Sequence, residues 1–286
     1  MPLVTGNFSK DKNIIHIDID PEEIGSNFTT LVGLVGDAKE TLKTLHKLIE
    51  EYRPEKTWIE YISKLKEQKL KNIKAYSNQF SGNKIRPQIV LANLNEIASE
   101  EDVLESDASS SSGWTAKYFL LKRGGRVYMA PRGFAGLRYG LPAAIGAYAS
   151  GMIKGRAIVV AGNGGFSYTV SELETLKRVG YPIMVIILND SALGWIKLEQ
   201  ELFQDEKVIS STFLNTEYAK ITESYGIKGY RIEYPQHLGE VLRKAYSLRE
   251  PVVVDIATIT DPMFSLSLYE TLKKKSSLLL MNYIKY

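Results

Sequence analysis

The sequence predicts an α/β protein built on a doubly wound parallel sheet, and three observations carry that prediction. From about Gln88 to Thr260, short apolar runs alternate with stretches of helical periodicity. Two of the runs, Ala157–Ala161 and Val185–Leu188, are apolar at every position, as strands covered on both faces must be. Each of these two ends at residues that break a strand, Gly162-Asn163-Gly164-Gly165-Phe166 in the first case and Asn189-Asp190 in the second.

In chain order, residues 1–52 carry a β run at Ile14–Ile19, a turn at Pro21, two short hydrophobic segments and a helix from about Ala38 to Tyr52. That is too little to fold comfortably alone. It reads as the trailing part of a Rossmann-like unit, with an apolar face short of its cover. Residues 53–87 form a linker whose Lys-rich stretch Trp58–Tyr76 predicts a solvated helix. Residues 88–262 hold the main domain. Helices are expected at Gln88–Ser99, Trp114–Leu121, Pro142–Ile153, Ser171–Arg178, Thr216–Tyr225 and His237–Leu248. Strands are expected near Asp102–Leu104, Val127–Ala130 and Tyr230–Ile232 and over Val252–Ala257, besides the two already given. Residues 263–286 are a Leu/Lys/Ser tail, read as an amphipathic helix covering a core.

Composition narrows the function classes. Of 286 residues 44% are hydrophobic, enough for a large core. Cysteine is absent, which excludes disulfides and thiolate metal sites. The formal charge of +3, from 36 basic and 33 acidic residues, gives no support to a nucleic-acid or membrane partner. No apolar run approaches the roughly 20 residues of a membrane span, and the N-terminus lacks a signal-peptide layout, so a cytoplasmic location is expected. His16, His46 and His237 show no metal-ligand spacing. No Gly-x-Gly-x-x-Gly follows a strand with an acidic residue about 20 positions on, which disfavours a nicotinamide dinucleotide domain.

The chemistry points to the two strand ends. Glycines after Ala161 tolerate positive φ and let a ligand approach the backbone, and a following helix N-terminus presents free N–H groups to an anion. If the strands are neighbours, the carbonyl oxygen of Asn163 and the carboxylate of Asp190 can hold a hard cation against a diphosphate, in the way Mg²⁺ is bound with few protein ligands. An ordinary strand-turn-helix with polar turn residues is the plainer alternative.

The segment from Gly162 to Gly194 resembles the cofactor-diphosphate motif of thiamine diphosphate enzymes, in particular the acetolactate synthase-like family. Gly140-Leu141-Pro142-Ala143-Ala144-Ile145-Gly146-Ala147 is similar to a helix of that family, Ile14–Gly25 to the end of its middle domain, and Pro251–Ile256 to its last strand. The resemblance implies a thiamine diphosphate-binding fold, preceded by a partial Rossmann-like middle domain, with thiamine diphosphate and Mg²⁺ as cofactors. Asn163 and Asp190 would offer side-chain oxygens to Mg²⁺, and Ala192 its carbonyl. Gly162, Gly164 and Gly165 would form the diphosphate cradle, with Ser110 and Ser111 as further donors; the serine run otherwise reads as a flexible loop. The oxygen of Ala135 and the nitrogen of Leu137, on either side of Gly136, would grip the aminopyrimidine. Leu137 would be the apolar wedge under the bent cofactor, or else a plain core leucine.

Three positions depart from the family. Asn163 replaces an aspartate, Arg138 replaces a glycine after the wedge, where it clashes with cofactor or reaches solvent, and Glu199 replaces a tryptophan that serves the second 2-oxo acid. No catalytic residue is assigned within the chain, because the family's activating glutamate sits on a pyrimidine-binding domain that the resemblance does not reach. The expected function is decarboxylation of a 2-oxo acid, pyruvate most simply, with carboligation. It would need a homo-oligomer or a separate pyrimidine-domain subunit. The rival is a degenerate, catalytically inactive cofactor-binding or assembly fragment.

Overall fold

The computed structural model describes residues 12–49, 53–79, 85–125, 127–204 and 207–261. They fall in two compact units divided after Lys66. In the first, β1 (Ile15–Asp18) and β2 (Val32–Val35) pair in parallel, followed by α1 (Ala38–Leu48). Asp37 starts α1 by accepting the Glu40 N–H at 3.0 Å, which satisfies one of the unpaired donors of the first turn. No residue of α1 is buried. Ile15, Ile19, Leu31, Val35 and Leu42 are exposed, so this unit leaves much of its apolar surface in water. α2 (Lys56–Gln79) is longer than the sequence suggests. Its composition of Lys, Glu, Gln and Leu favours helix without tertiary help, and Trp58, Ile59, Tyr61, Ile62 and Leu65 stay exposed.

After the end of α2, the second unit holds α3 (Pro87–Ile97), β3 (Val103–Ser106), α4 (Ser110–Tyr118), β4 (Tyr128–Met129) and α5 (Gly140–Ala149). It continues through β5 (Ala157–Gly162), α6 (Asn163–Ser167), α7 (Glu172–Val179), β6 (Ile183–Asn189) and α8 (Gly194–Phe203). It closes with α9 (Tyr218–Ser224), β7 (Lys228–Ile232), α10 (Pro235–Ser247) and β8 (Val252–Ala257). The six strands β3–β8 form one sheet in the order β4-β3-β5-β6-β8-β7, and every pairing is parallel.

Alternation along the strands divides the core into two layers. Ile158 and Val160 of β5 face one side with Met184, Ile186, Val252 and Val254, where α3 and α10 contribute Val90, Leu91, Leu94, Leu238 and Leu242. Ala157, Val159 and Ala161 face the other with Val185 and Ile187, under Leu141, Phe166, Leu173 and Leu176. Each fully buried aliphatic side chain contributes on the order of 1.5–3 kcal/mol, so the sheet is held from both faces. Three elements differ from the sequence reading. The serine run opens α4, and within it the Ser111 hydroxyl donates back to the Asp107 and Ala108 carbonyls at 3.0 and 2.8 Å. The glycine-rich turn contains the short helix α6, and the segment after Asp190 contains α8. The tail expected to form an amphipathic helix lies beyond the described residues, apart from its approach at Asp261. No helix among the described residues is long and apolar enough to cross a membrane.

Close packing of α9 on β7 depends on Gly229. A Cβ there would stand 2.3 Å from the Ala219 carbonyl oxygen, and backbone cannot swing aside as a side chain can. Gly229→Ala is therefore expected to lower stability by about 1–3 kcal/mol, read as a drop in the urea midpoint at constant slope; an unchanged midpoint would contradict it.

Candidate diphosphate and cation site

All the loops that matter leave the same edge of the sheet. β5 and β6 are hydrogen-bonded neighbours, with Gly162 opposite Leu188, so Asn163 and Asp190 begin adjacent connections. A cleft opens there, at the carboxyl ends of the strands where open parallel sheets bind ligands. It is lined by Ser109–Ser111 after β3, by Gly162, Gly164 and Gly165 after β5, by Asp190 and Ala192–Gly194 after β6, and by Thr258–Asp261 after β8. Leu137 completes the wall.

Helix ends converge on the cleft. The N-terminal turns of α4, α6 and α8 all reach it, through Ser110, Gly164 and Gly194, and their unpaired N–H groups favour negative charge. The glycines serve by lacking a side chain. None of Gly162, Gly164 and Gly165 uses the positive φ that glycine tolerates. Instead, a Cβ on Gly165 would stand 2.3 Å from Asp107 Oδ2, and one on Gly164 would stand 2.6 Å from Leu193 Cδ2.

At one end of the cleft three oxygens converge. The side-chain oxygen of Asn163, which is itself buried, faces only acceptors, the Asp190 carboxylate and the Ala192 carbonyl. Two arrangements answer this geometry. Either the amide turns over and its NH₂ donates to them at 3.0 and 3.3 Å, or a hard cation sits among oxygens of the kind that suits Mg²⁺. The backbone carbonyl of Asn163, the alternative ligand in the sequence reading, is occupied by the Tyr218 hydroxyl at 3.2 Å. Asp190 is held by Thr260 Oγ1 at 2.9 Å and by the Ala192 N–H at 3.2 Å. Burial nevertheless pushes its carboxyl above the ordinary range. A cation beside it would offset that cost, so the donor set fits the metal.

Asp107, which sequence reasoning did not single out, organises the opposite wall. Its carboxylate accepts from the N–H groups of Ala108 at 2.8 Å, Arg138 at 3.2 Å and Tyr139 at 3.0 Å. The segment that carries Ala135, Gly136 and Leu137 is thereby tied to the end of β3. Leu137 lines the cleft, whereas Ala135 and Gly136 are exposed beside it. Arg138 is exposed. Four residues other than glycine hold positive φ around the cleft: Ser109 at 72°, Ala135 at 56°, Arg138 at 75° and Ser191 at 53°. Such conformations cost of order 1–3 kcal/mol each and cluster where function constrains the backbone. Glu199 is turned toward Trp195, whose indole N–H donates to it at 2.9 Å.

Comparison with known proteins decides the family. Residues 107–256 match the model of the thiamine pyrophosphate enzyme C-terminal TPP-binding domain, and residues 3–45 that of the thiamine pyrophosphate enzyme central domain. The chain belongs to the thiamine pyrophosphate enzymes. Within that family it is similar to a probable acetolactate synthase large subunit of Methanocaldococcus jannaschii, at 32% identity over 91% of this chain and 44% of the relative. A probable acetolactate synthase large subunit of Methanococcus aeolicus is 30% identical over 93% and 46%. A putative thiamine pyrophosphate-containing protein of Bacillus subtilis is 29% identical over 88% and 43%. The chain thus spans less than half the length of the curated relatives it matches. The thiamine pyrophosphate-binding domain supplies the loops after β3, β5 and β6, and the central domain is present only in part.

Proposed function

We propose that this chain provides the diphosphate and cation site of an acetolactate synthase-like enzyme that decarboxylates a 2-oxo acid, pyruvate most simply, and joins the remaining fragment to a second carbonyl compound. The Asp190 carboxylate and the Ala192 carbonyl standing beside the buried Asn163 amide, at a cleft that three helix N-termini reach, is the observation that carries this reading. Thiamine diphosphate, when bound, supplies the electron sink for such chemistry, and the protein supplies binding and orientation. Asn163, Asp190 and Ala192 would hold Mg²⁺. The N–H groups at Gly164, Gly165 and Ser110 would hold the diphosphate; Ser111 would contribute its N–H, since its hydroxyl is already engaged. Ala135 and Leu137 would grip the aminopyrimidine by main-chain atoms, with Leu137 as the apolar wedge and Gly136 between them. The divisions 1–52, 53–87, 88–262 and 263–286 belong to the same reading.

A pyrimidine-binding domain with its activating glutamate would come from a separate subunit, or from other copies in an oligomer. Native mass spectrometry of the protein from its own cells tests this. The expected spectrum contains a complex carrying thiamine diphosphate and Mg²⁺. Carbon dioxide release from pyruvate by the isolated chain, supplied with cofactor and Mg²⁺, would overturn the need for a partner. A non-catalytic cofactor-binding or assembly module is favoured by one observation, the strained Arg138 next to the wedge. A loaded complex that releases no carbon dioxide from any 2-oxo acid would support it.

A further inference from the structure

The two connections that hold the cation oxygens start on different strands, and a single buried carboxylate links both of them. Asp255, on β8, is fully buried and lines no part of the cleft. Its Oδ1 accepts from Asn189 Nδ2 at 2.9 Å. Asn189 in turn accepts the Ser191 N–H on its own Oδ1 at 3.2 Å, which fixes the turn that carries Asp190 and Ala192. The other oxygen of Asp255 accepts the Tyr218 N–H at 2.8 Å. Tyr218 begins α9, lies edge-on to Phe166 of α6, and donates its hydroxyl to the Asn163 carbonyl. One carboxylate thereby reaches the Asp190 turn by one arm and Asn163 by the other. Arg231, 2.8 Å from Asp255 Oδ1 on the neighbouring strand, balances the buried charge.

We propose that Asp255 is a positioning residue for the cation site, acting through Asn189 on Asp190 and Ala192 and through Tyr218 on Asn163. The proposal rests on the reading of that cluster as a cation site. Hydrogen-bond partners lying behind metal ligands typically alter affinity about 10–100-fold when mutated. The effect requires no contact between Asp255 and the metal. It follows from the spacing of the three oxygens, which is set by the two arms.

The test is Mn²⁺ binding to the full chain at saturating thiamine diphosphate, followed by the electron paramagnetic resonance of the free ion, well below each variant's unfolding temperature. Asp255→Asn is expected to weaken binding about 10–100-fold. Tyr218→Phe removes only a hydroxyl, so it folds even if Asp255→Asn does not, and it is expected to weaken binding severalfold. Combining the two should cost less than the product of their separate effects, because they share one arm. Thr222→Val removes a buried hydroxyl that bonds the Tyr218 carbonyl within the same helix, at 2.8 Å. It controls for simple loss of stability, and should lower the melting temperature while leaving Mn²⁺ affinity unchanged. Wild-type affinity in Tyr218→Phe, or equal weakening in Thr222→Val, overturns the positioning role. Failure of the wild-type chain to bind Mn²⁺ overturns the cation-site reading itself and takes the positioning role with it.

Discussion

Asp190→Asn is expected to weaken divalent-cation binding on the order of 100-fold or more, and Asn163→Ala on the order of tenfold or less. Of the three oxygens that converge at the strand ends, only those of Asp190 carry formal negative charge. A unit charge about 4 Å from a cation contributes on the order of 4 kcal/mol even at an effective dielectric constant of 20, whereas an amide oxygen offers only a dipole. Asn163 has a second, opposing effect. Without a cation its NH₂ can turn toward Asp190 and Ala192, so part of what it gives the bound state it also gives the empty one. Titration calorimetry with Mg²⁺ and thiamine diphosphate would measure both variants. Equal losses would show that charge at Asp190 is not what holds the ion.

Glu105→Met is expected to stabilise the protein increasingly as pH rises from about 4.5 to about 8. Glu105 lies on β3, is fully buried, and neither carboxyl oxygen finds a hydrogen-bond partner among the described residues. Burial pushes its pKa from 4.5 to about 8. Below pH 4.5 the group is protonated in both folded and unfolded chains, and no penalty arises. Above 4.5 the unfolded chain ionises while the folded chain keeps its proton. The wild type therefore loses up to about 1.4 kcal/mol for each pH unit until the folded-state pKa is passed. Methionine has similar bulk and no proton to lose. Urea unfolding of both proteins at several pH values between 4.5 and 9 tests the sign: a difference that does not change with pH would remove the buried acid from the account.

Much of this was legible where one principle acts alone. β5, β6 and β8 are apolar at nearly every position because both faces are covered, and that pattern needs no tertiary knowledge. The motif residues Gly162 to Gly165 and Asp190 could be placed at strand ends on the same grounds, while the pairing of the two strands came from the fold. The shape of the connections was less accessible. Glycines after a strand read as a turn, yet α6 is helical, and its glycines serve close packing against Asp107 and Leu193. Four serines in a row read as a loop, yet they open a helix, and the Ser111 hydroxyl is spent on the preceding Asp107 and Ala108 carbonyls. Asp107, Thr260, Tyr218 and Asp255 carry no periodic signal at all. The bonds from Asp107 to Arg138, from Tyr218 to Asp255 and from Thr260 to Asp190 span 31 to 70 residues, and a distance of that kind is set by the fold. Asp107 left one trace, an acidic residue at the end of a strand just before the serine run.

The place of β8 in the sheet has a consequence for how the protein is made. It is the last strand among the described residues, yet it lies inside the sheet between β6 and β7. On the ribosome β6 is complete at Asn189, while β8 is complete only at Ala257. At roughly 5–20 residues per second, the edge of β6 waits about 3–14 s for its neighbour. During that interval Met184, Ile186 and Leu188 lack the strand that will lie beside them, and the nascent chain presents an unpaired apolar edge of the kind that chaperones recognise.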